Sequence, residues 1–91
     1  MFLVIYDISD DSLRTKLSRF LNRFGRRLQF SVFEIRNSAR ILDNIRSEIK
    51  NTFEKEFSQS DSVMVLQVDD NAICDRFGYA KNEEQDLLFF G

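Results

Sequence analysis

The 91 residues predict an α+β sandwich, with helices laid on one face of a single sheet. Three observations carry this reading. Apolar residues alternate or run unbroken over 2–8, 27–36 and 63–68, as strand periodicity requires. Between these stretches lie two segments whose apolar residues recur every three or four positions, the spacing of helices packed on one side. No proline, linker or repeat interrupts them, so 1–91 reads as one domain, with a core over 1–68 and an acidic segment over 69–91.

The elements follow in order. Residues 2–8 (FLVIYDI) are apolar on both alternating faces, which marks a central strand: Leu3, Ile5 and Asp7 share one face, Phe2, Val4 and Tyr6 the other. Ser9 or Asp10 offers an N-cap, and Asp10 and Asp11 suit the positive end of a helix dipole. Leu13, Leu17, Phe20, Leu21 and Phe24 continue at helical spacing, and Gly25 is a natural C′ stop. Residues 27–36 (RLQFSVFEIR) change parity, with Leu28, Phe30 and Val32 on one face and Phe33 and Ile35 on the other. That predicts a bulge, or two short strands divided near Ser31. Asn37 and Ser38 cap a second helix that buries Ile41, Leu42, Ile45, Ile49, Phe53 and Phe57. Ser60 to Ser62 turn the chain into the strand at 63–68, and 86–90 (DLLFF) read as a short terminal strand.

Composition narrows the chemistry. No apolar run approaches the roughly 18–20 residues that cross a bilayer, and no leader pattern precedes the first strand. Cys74 stands alone, so no intrachain disulfide is available and a cytoplasmic location is expected. Histidine is absent, which removes the commonest general base and the commonest zinc ligand. The net charge of −2 hides an asymmetry: residues 1–40 hold eight Arg/Lys against four Asp/Glu, residues 41–91 five against eleven. The basic half suits a polyanion, although on composition alone uneven charge more often marks an ordinary surface.

Packing supplies a further expectation. Two helices cover one face of the sheet, yet residues 2–8 are apolar on both, and the simplest cover for the other face is a second copy of the chain. A homodimer through the helix-free face is expected, with 86–90 adding a strand to the partner copy.

The stretches VIYDISDDSLRTKLSRFL and FGRRLQFSVFEI resemble the CRISPR-associated protein two family, the non-integrase member of the spacer-acquisition pair. The specific part is Gln–aromatic–Ser–Val–Phe at this distance from Tyr6–Asp7. The resemblance is strong over 1–38, follows by pattern to 69 and fades beyond. It implies a ferredoxin-like βαββαβ sandwich with an extra C-terminal strand, as a symmetric homodimer with Asp7 near the two-fold axis. It also implies a role in CRISPR adaptation: bridging two dimers of the CRISPR-associated integrase (protein one) and holding double-stranded protospacer DNA. Family members have been described as metal-dependent endonucleases on DNA or single-stranded RNA, which makes Mg²⁺ or Mn²⁺ a candidate cofactor. A virulence-associated toxin-type ribonuclease of related shape is the alternative.

Asp7 is the candidate catalytic and metal-binding residue, because a carboxylate ending a buried strand is costly unless paired, hydrated or bound to a cation. One carboxylate makes a poor magnesium site; two across a dimer axis make a better one, with water and phosphate filling the remaining positions. The competing reading is that Asp7 accepts hydrogen bonds from the following helix. Asp10 and Asp11 read as caps. Lys16, Arg19 and Arg23 share one flank of the first helix, Arg14 lies on the other, and Arg26 and Arg27 follow at its end. These six cations are the candidate nucleic-acid contacts, and by resemblance Arg14, Lys16 and Arg27 match positions linked to nucleic-acid handling. Tyr6 and Phe33 match motif aromatics, with core packing the simpler role for each. Ser31 offers a hydroxyl at the parity break but no base partner to make it a nucleophile. Leu87, Leu88, Phe89 and Phe90 are the candidate docking strand for the integrase.

Overall fold

The computed structural model describes residues 1–78. It contains β1 (Phe2–Asp7), α1 (Asp11–Asn22), β2 (Arg26–Gln29), β3 (Val32–Ile35), α2 (Ala39–Glu48) and β4 (Ser62–Gln67). The strands form one antiparallel sheet in the order β2-β3-β1-β4, the ferredoxin-like arrangement. The anticipated strand at 86–90, with Leu87, Leu88, Phe89 and Phe90, lies outside the described residues.

β1 is central because its composition tolerates neighbours on both edges and apolar contacts on both faces. Val4 stands opposite Phe33 on one side and Val65 on the other. Val4, Tyr6, Phe33 and Ile35 point to the helices, where Leu13, Leu17 and Leu21 of α1 meet Ile45 and Phe53 in one buried cluster. Each fully buried leucine there, Leu17 for example, contributes about 1.5–3 kcal/mol relative to exposure.

Both alternatives for 27–36 occur together. A turn at Phe30–Ser31 separates β2 from β3, and the register shifts between Arg27 and Gln29, leaving Leu28 as an extra residue. The bulge explains why two consecutive side chains, Arg27 and Leu28, are both buried.

The second helix departs from its expected regular course to Phe57. After Glu48 the chain widens into a π turn over Ile49–Phe53 and then tightens into a 3₁₀ turn over Glu54–Glu56. The spacing supplies a reason. Ile45, Ile49, Phe53 and Phe57 are four apart, and four residues overshoot a 3.6-residue turn by about 40° each time. A wider turn brings Phe53 back to the core, where it is buried against Phe20 with ring centroids 5.4 Å apart.

Gly25 serves a different purpose from the C′ stop expected of it. Among the described residues, the only glycine with positive φ is Gly78. Gly25 lets the loop after α1 lie against β3: a Cβ there would sit 2.1 Å from the Glu34 carbonyl oxygen and 2.7 Å from Ile35 Cδ1. The nearest atom is backbone and cannot swing aside. Gly25→Ala is therefore expected to lower the unfolding free energy by about 1–3 kcal/mol, measured as a lower urea midpoint at unchanged slope.

Candidate functional site

The C-terminal end of β1 brings together Asp7, the start of α1, the β2–β3 turn and the turn before β4. Asp7 pairs in register with Ser62 and is exposed. Among the described residues no hydrogen bond or ion pair reaches its carboxylate. The helix is capped by Asp10 instead, whose Oδ2 accepts from Leu13 N at 2.8 Å. Asp7 is thus left available to solvent, and the reading in which it caps the helix does not hold.

Arg14 is largely committed to the loop. Its Nη1 donates to the Ile8 carbonyl at 2.9 Å and its Nη2 pairs with Asp11. The arginine therefore braces the residues that follow Asp7.

A second brace comes from the turn before β4. Asp61 Oδ1 accepts from Ser9 N at 2.9 Å and from Ser9 Oγ at 3.0 Å, while its Oδ2 accepts from Ser58 N at 2.8 Å. These hydrogen bonds from Ser58 and Ser9 hold the carboxyl below its usual value of 3.8. The clasp fixes the loop after Asp7 to the turn that starts β4. Sequence reading missed it, although a Ser/Asp-rich turn at 58–62 is the composition that makes such side chain–backbone bonds.

On the covered side, Tyr6 stacks on Phe33 with centroids 6.3 Å apart, and both are buried. The Arg27 guanidinium lies 4.9 Å from the Phe33 centroid and 5.8 Å from that of Phe30. At 5% exposure it is placed to support the aromatic cluster and not to meet a phosphate. Ser31 contributes its carbonyl, which accepts from Tyr6 N at 3.0 Å.

The six cations do not form one band. Arg27 is buried, Arg14 is braced, and Lys16 Nζ lies 4.0 Å from Glu56 Oε1. Arg26 is on the opposite face of the sheet, opposite Glu34, whose Oε1 is 3.3 Å from Arg26 Nε and 3.5 Å from Arg36 Nε. Arg19 and Arg23 remain on the outer flank of α1, exposed and without ion pairs among the described residues; the Arg23 guanidinium lies 5.4 Å from the Phe24 centroid.

The helix-free face carries Leu3 and Ile5 in the middle, Val32 and Glu34 from β3, and Met64 and Leu66 from β4. Met64 is 51% and Leu66 41% exposed. Asp7 lies on this same face, at one end of the apolar strip.

Residues 1–75 match the model of the family described as CRISPR associated protein Cas2. The chain belongs to this family. A Thermus thermophilus relative, "CRISPR-associated endonuclease Cas2 2", is 44% identical over 46 residues, covering 50% of this chain and 51% of the relative. A Synechocystis relative, "CRISPR-associated endoribonuclease Cas2 3", is 30% identical over 56 residues, covering 62% of this chain and 61% of the relative. The matches therefore span only about half to three fifths of these relatives' own lengths. Among solved structures, a hypothetical protein from Thermus thermophilus superposes with a TM-score of 0.71 at 29% identity, covering 86% of this chain and 89% of that one. Streptococcus pyogenes Cas2 superposes with a TM-score of 0.65 at 20% identity over 77% and 87% of the two chains, which speaks to the fold. Family membership gives the chain a CRISPR-associated role. Among the described residues no helix is long and apolar enough to cross a membrane.

The clasp generates a test. Because the Asp61 carboxyl is lowered in the folded state, its contribution is complete above 3.8 and is lost as pH falls through the lowered value. Asp61→Asn is expected to melt below the parent at pH 7, with the gap closing below about pH 4, read by thermal unfolding across a pH series.

Proposed function

We propose that the chain is a CRISPR-adaptation subunit that acts as a homodimer, bridging integrase dimers and holding double-stranded protospacer DNA. The observation that carries this is the helix-free face, where Leu3, Ile5, Val32, Met64 and Leu66 form an apolar strip across three neighbouring strands. A second copy seated on it would cover the strip by the same residues from both sides. The exposed Arg19 and Arg23, doubled by the two-fold, would face a phosphate backbone without reading sequence. The family match favours this reading over a toxin-type ribonuclease of related shape.

Nuclease action is the second reading, favoured by the exposed Asp7 and by relatives called endonuclease or endoribonuclease. One chain does not fit a resident Mg²⁺ or Mn²⁺: among the described residues no three Asp, Glu, Cys or His gather as ligands. Asp7 would need its counterpart in the second copy, with water and phosphate oxygens completing the shell.

The dimer is tested by Met64→Glu, which places a charge in the strip. It is expected to run as a monomer in light scattering and to lose spacer integration with the cognate integrase. Asp7→Ala should dimerise and retain integration; its loss with the dimer intact would bring the metal-dependent reading forward. A dimeric, active Met64→Glu protein would refute the face as the interface.

Replacing Arg19 and Arg23 together by alanine should weaken binding to duplex DNA uniformly across sequences. The log–log salt slope should flatten by roughly 0.9 for each phosphate contact removed. An unchanged slope would assign DNA binding to other residues.

A further inference from the structure

Two carboxylates stand at the C-terminal end of β1, and their surroundings differ. Asp7 is exposed, with no hydrogen bond or ion pair among the described residues. Asp61 is half-buried, and its oxygens accept from Ser9 N, Ser9 Oγ and Ser58 N. A carboxylate offers roughly four acceptor sites, so Asp61 has little capacity left for a ligand. Its place beside the β1–β4 ladder shows what it does instead.

Asp7 is the last residue of β1 and stands opposite Ser62, at the end of that ladder. On the β3 side the paired register stops earlier, at Ile5 opposite Val32. Asp7 therefore has a strand neighbour on one edge only. Were the β1–β4 register to continue, Ile8 would stand opposite Asp61 and Ser9 opposite Ser60. The chain turns toward α1 instead, and the Asp61 carboxylate takes the Ser9 amide at 2.9 Å, where a strand carbonyl would otherwise serve. The residues on either side of Ser9 are hydrogen-bonded from α1. Arg14 Nη1 donates to the Ile8 carbonyl at 2.9 Å, Arg14 N to the Asp10 carbonyl at 2.9 Å, and Leu13 N to Asp10 Oδ2 at 2.8 Å. Those bonds tie the segment to the helix. The Asp61 bonds tie it to the sheet.

We propose that Asp61 is a positioning residue for Asp7: by extending the β1–β4 ladder past the strand end, it holds the main chain that carries Asp7 and so fixes where the open carboxylate meets a nucleic-acid backbone. This rests on the reading in which Asp7 acts in cleavage. A side chain with no partner of its own takes its place from the main chain that bears it. Displacing a reacting group by about 1 Å can cost about a hundredfold in rate, so a bond two residues away from Asp7 reaches the chemistry without touching it.

The test compares the full chain with its Asp61→Ala, Ser9→Ala and Asp7→Ala variants. Urea unfolding first fixes a temperature at which every variant is folded, and light scattering checks that each has the same assembly state. Amide hydrogen exchange then reads the local bond, and cleavage of labelled oligouridylate and duplex DNA in a Mg²⁺ buffer reads its consequence. In Asp61→Ala, exchange at Ser9 should quicken by more than exchange at Val4, which lies inside β1 and reports wider opening. Its kcat should fall by about tenfold to a hundredfold with KM within about twofold, because no phosphate contact is removed. Ser9→Ala keeps the N–H and should cleave like the parent, which assigns the effect to the amide bond and not to the hydroxyl. A purely stabilising role predicts otherwise: Ser9 and Val4 exchange rise together, and kcat is unchanged among folded proteins. That outcome overturns the proposal. Asp61→Ala that cleaves like the parent while Asp7→Ala is inert overturns the positioning role and leaves cleavage by Asp7 standing. A parent that does not cleave, or Asp7→Ala that cleaves as well as the parent, overturns the cleavage reading and the positioning role with it.

Discussion

Two helices can cover only one face of a four-stranded sheet, and β1 is apolar on both. This asymmetry governs the molecule. On the covered side, Val4 and Tyr6 anchor a core that takes three leucines from α1 and phenylalanines from β3 and the end of the second helix. On the other side, Leu3 and Ile5 are flanked by Val32, Met64 and Leu66, and no element of the described chain lies over them. Full burial of one such side chain contributes about 1.5–3 kcal/mol, and association costs about 4–15 kcal/mol. One exposed methionine does not offset that cost. A strip counted from both members of a face-to-face pair is of the right order.

The charges divide along the same line. Arg26, Glu34 and Arg36 lie on the helix-free side, where a carboxylate between two guanidinium groups occupies one end of the strip and Asp7 the other. Arg19 and Arg23 lie on the outside of α1, away from that face. Arg27 belongs to neither surface. Burying a guanidinium is costly unless its environment compensates, and here two aromatic rings and a backbone carbonyl surround it. A run of cations in the sequence thus becomes three kinds of residue: surface charges, a loop brace and a core fixture.

The strands, the first helix and the two-sided character of β1 were legible because each depends on periodicity that one chain carries locally. Asp7 was legible for the same reason: parity puts it on the face of Leu3 and Ile5, and the register bears this out. Three features were not legible. The burial of Arg27 depends on a one-residue bulge, which flips a side chain across the sheet without altering composition. The Ser9–Asp61 clasp joins residues 52 apart in sequence, beyond the reach of any local pattern. Gly25 looked like a helix stop because glycine commonly ends helices, but the constraint on it comes from a strand that approaches only in the folded chain.

The central position of β1 also sets an order of events on the ribosome. Phe2 finds one neighbour at Ile35 and the other at Gln67, so the strand emerges well before either edge can be satisfied. Until the second half of the chain is synthesised, an apolar segment with two unpaired edges must wait in solution or in the exit tunnel's vicinity. Sheet closure is therefore a late, long-range step, slow in the manner of non-local pairings and exposed meanwhile to mispairing with other nascent copies.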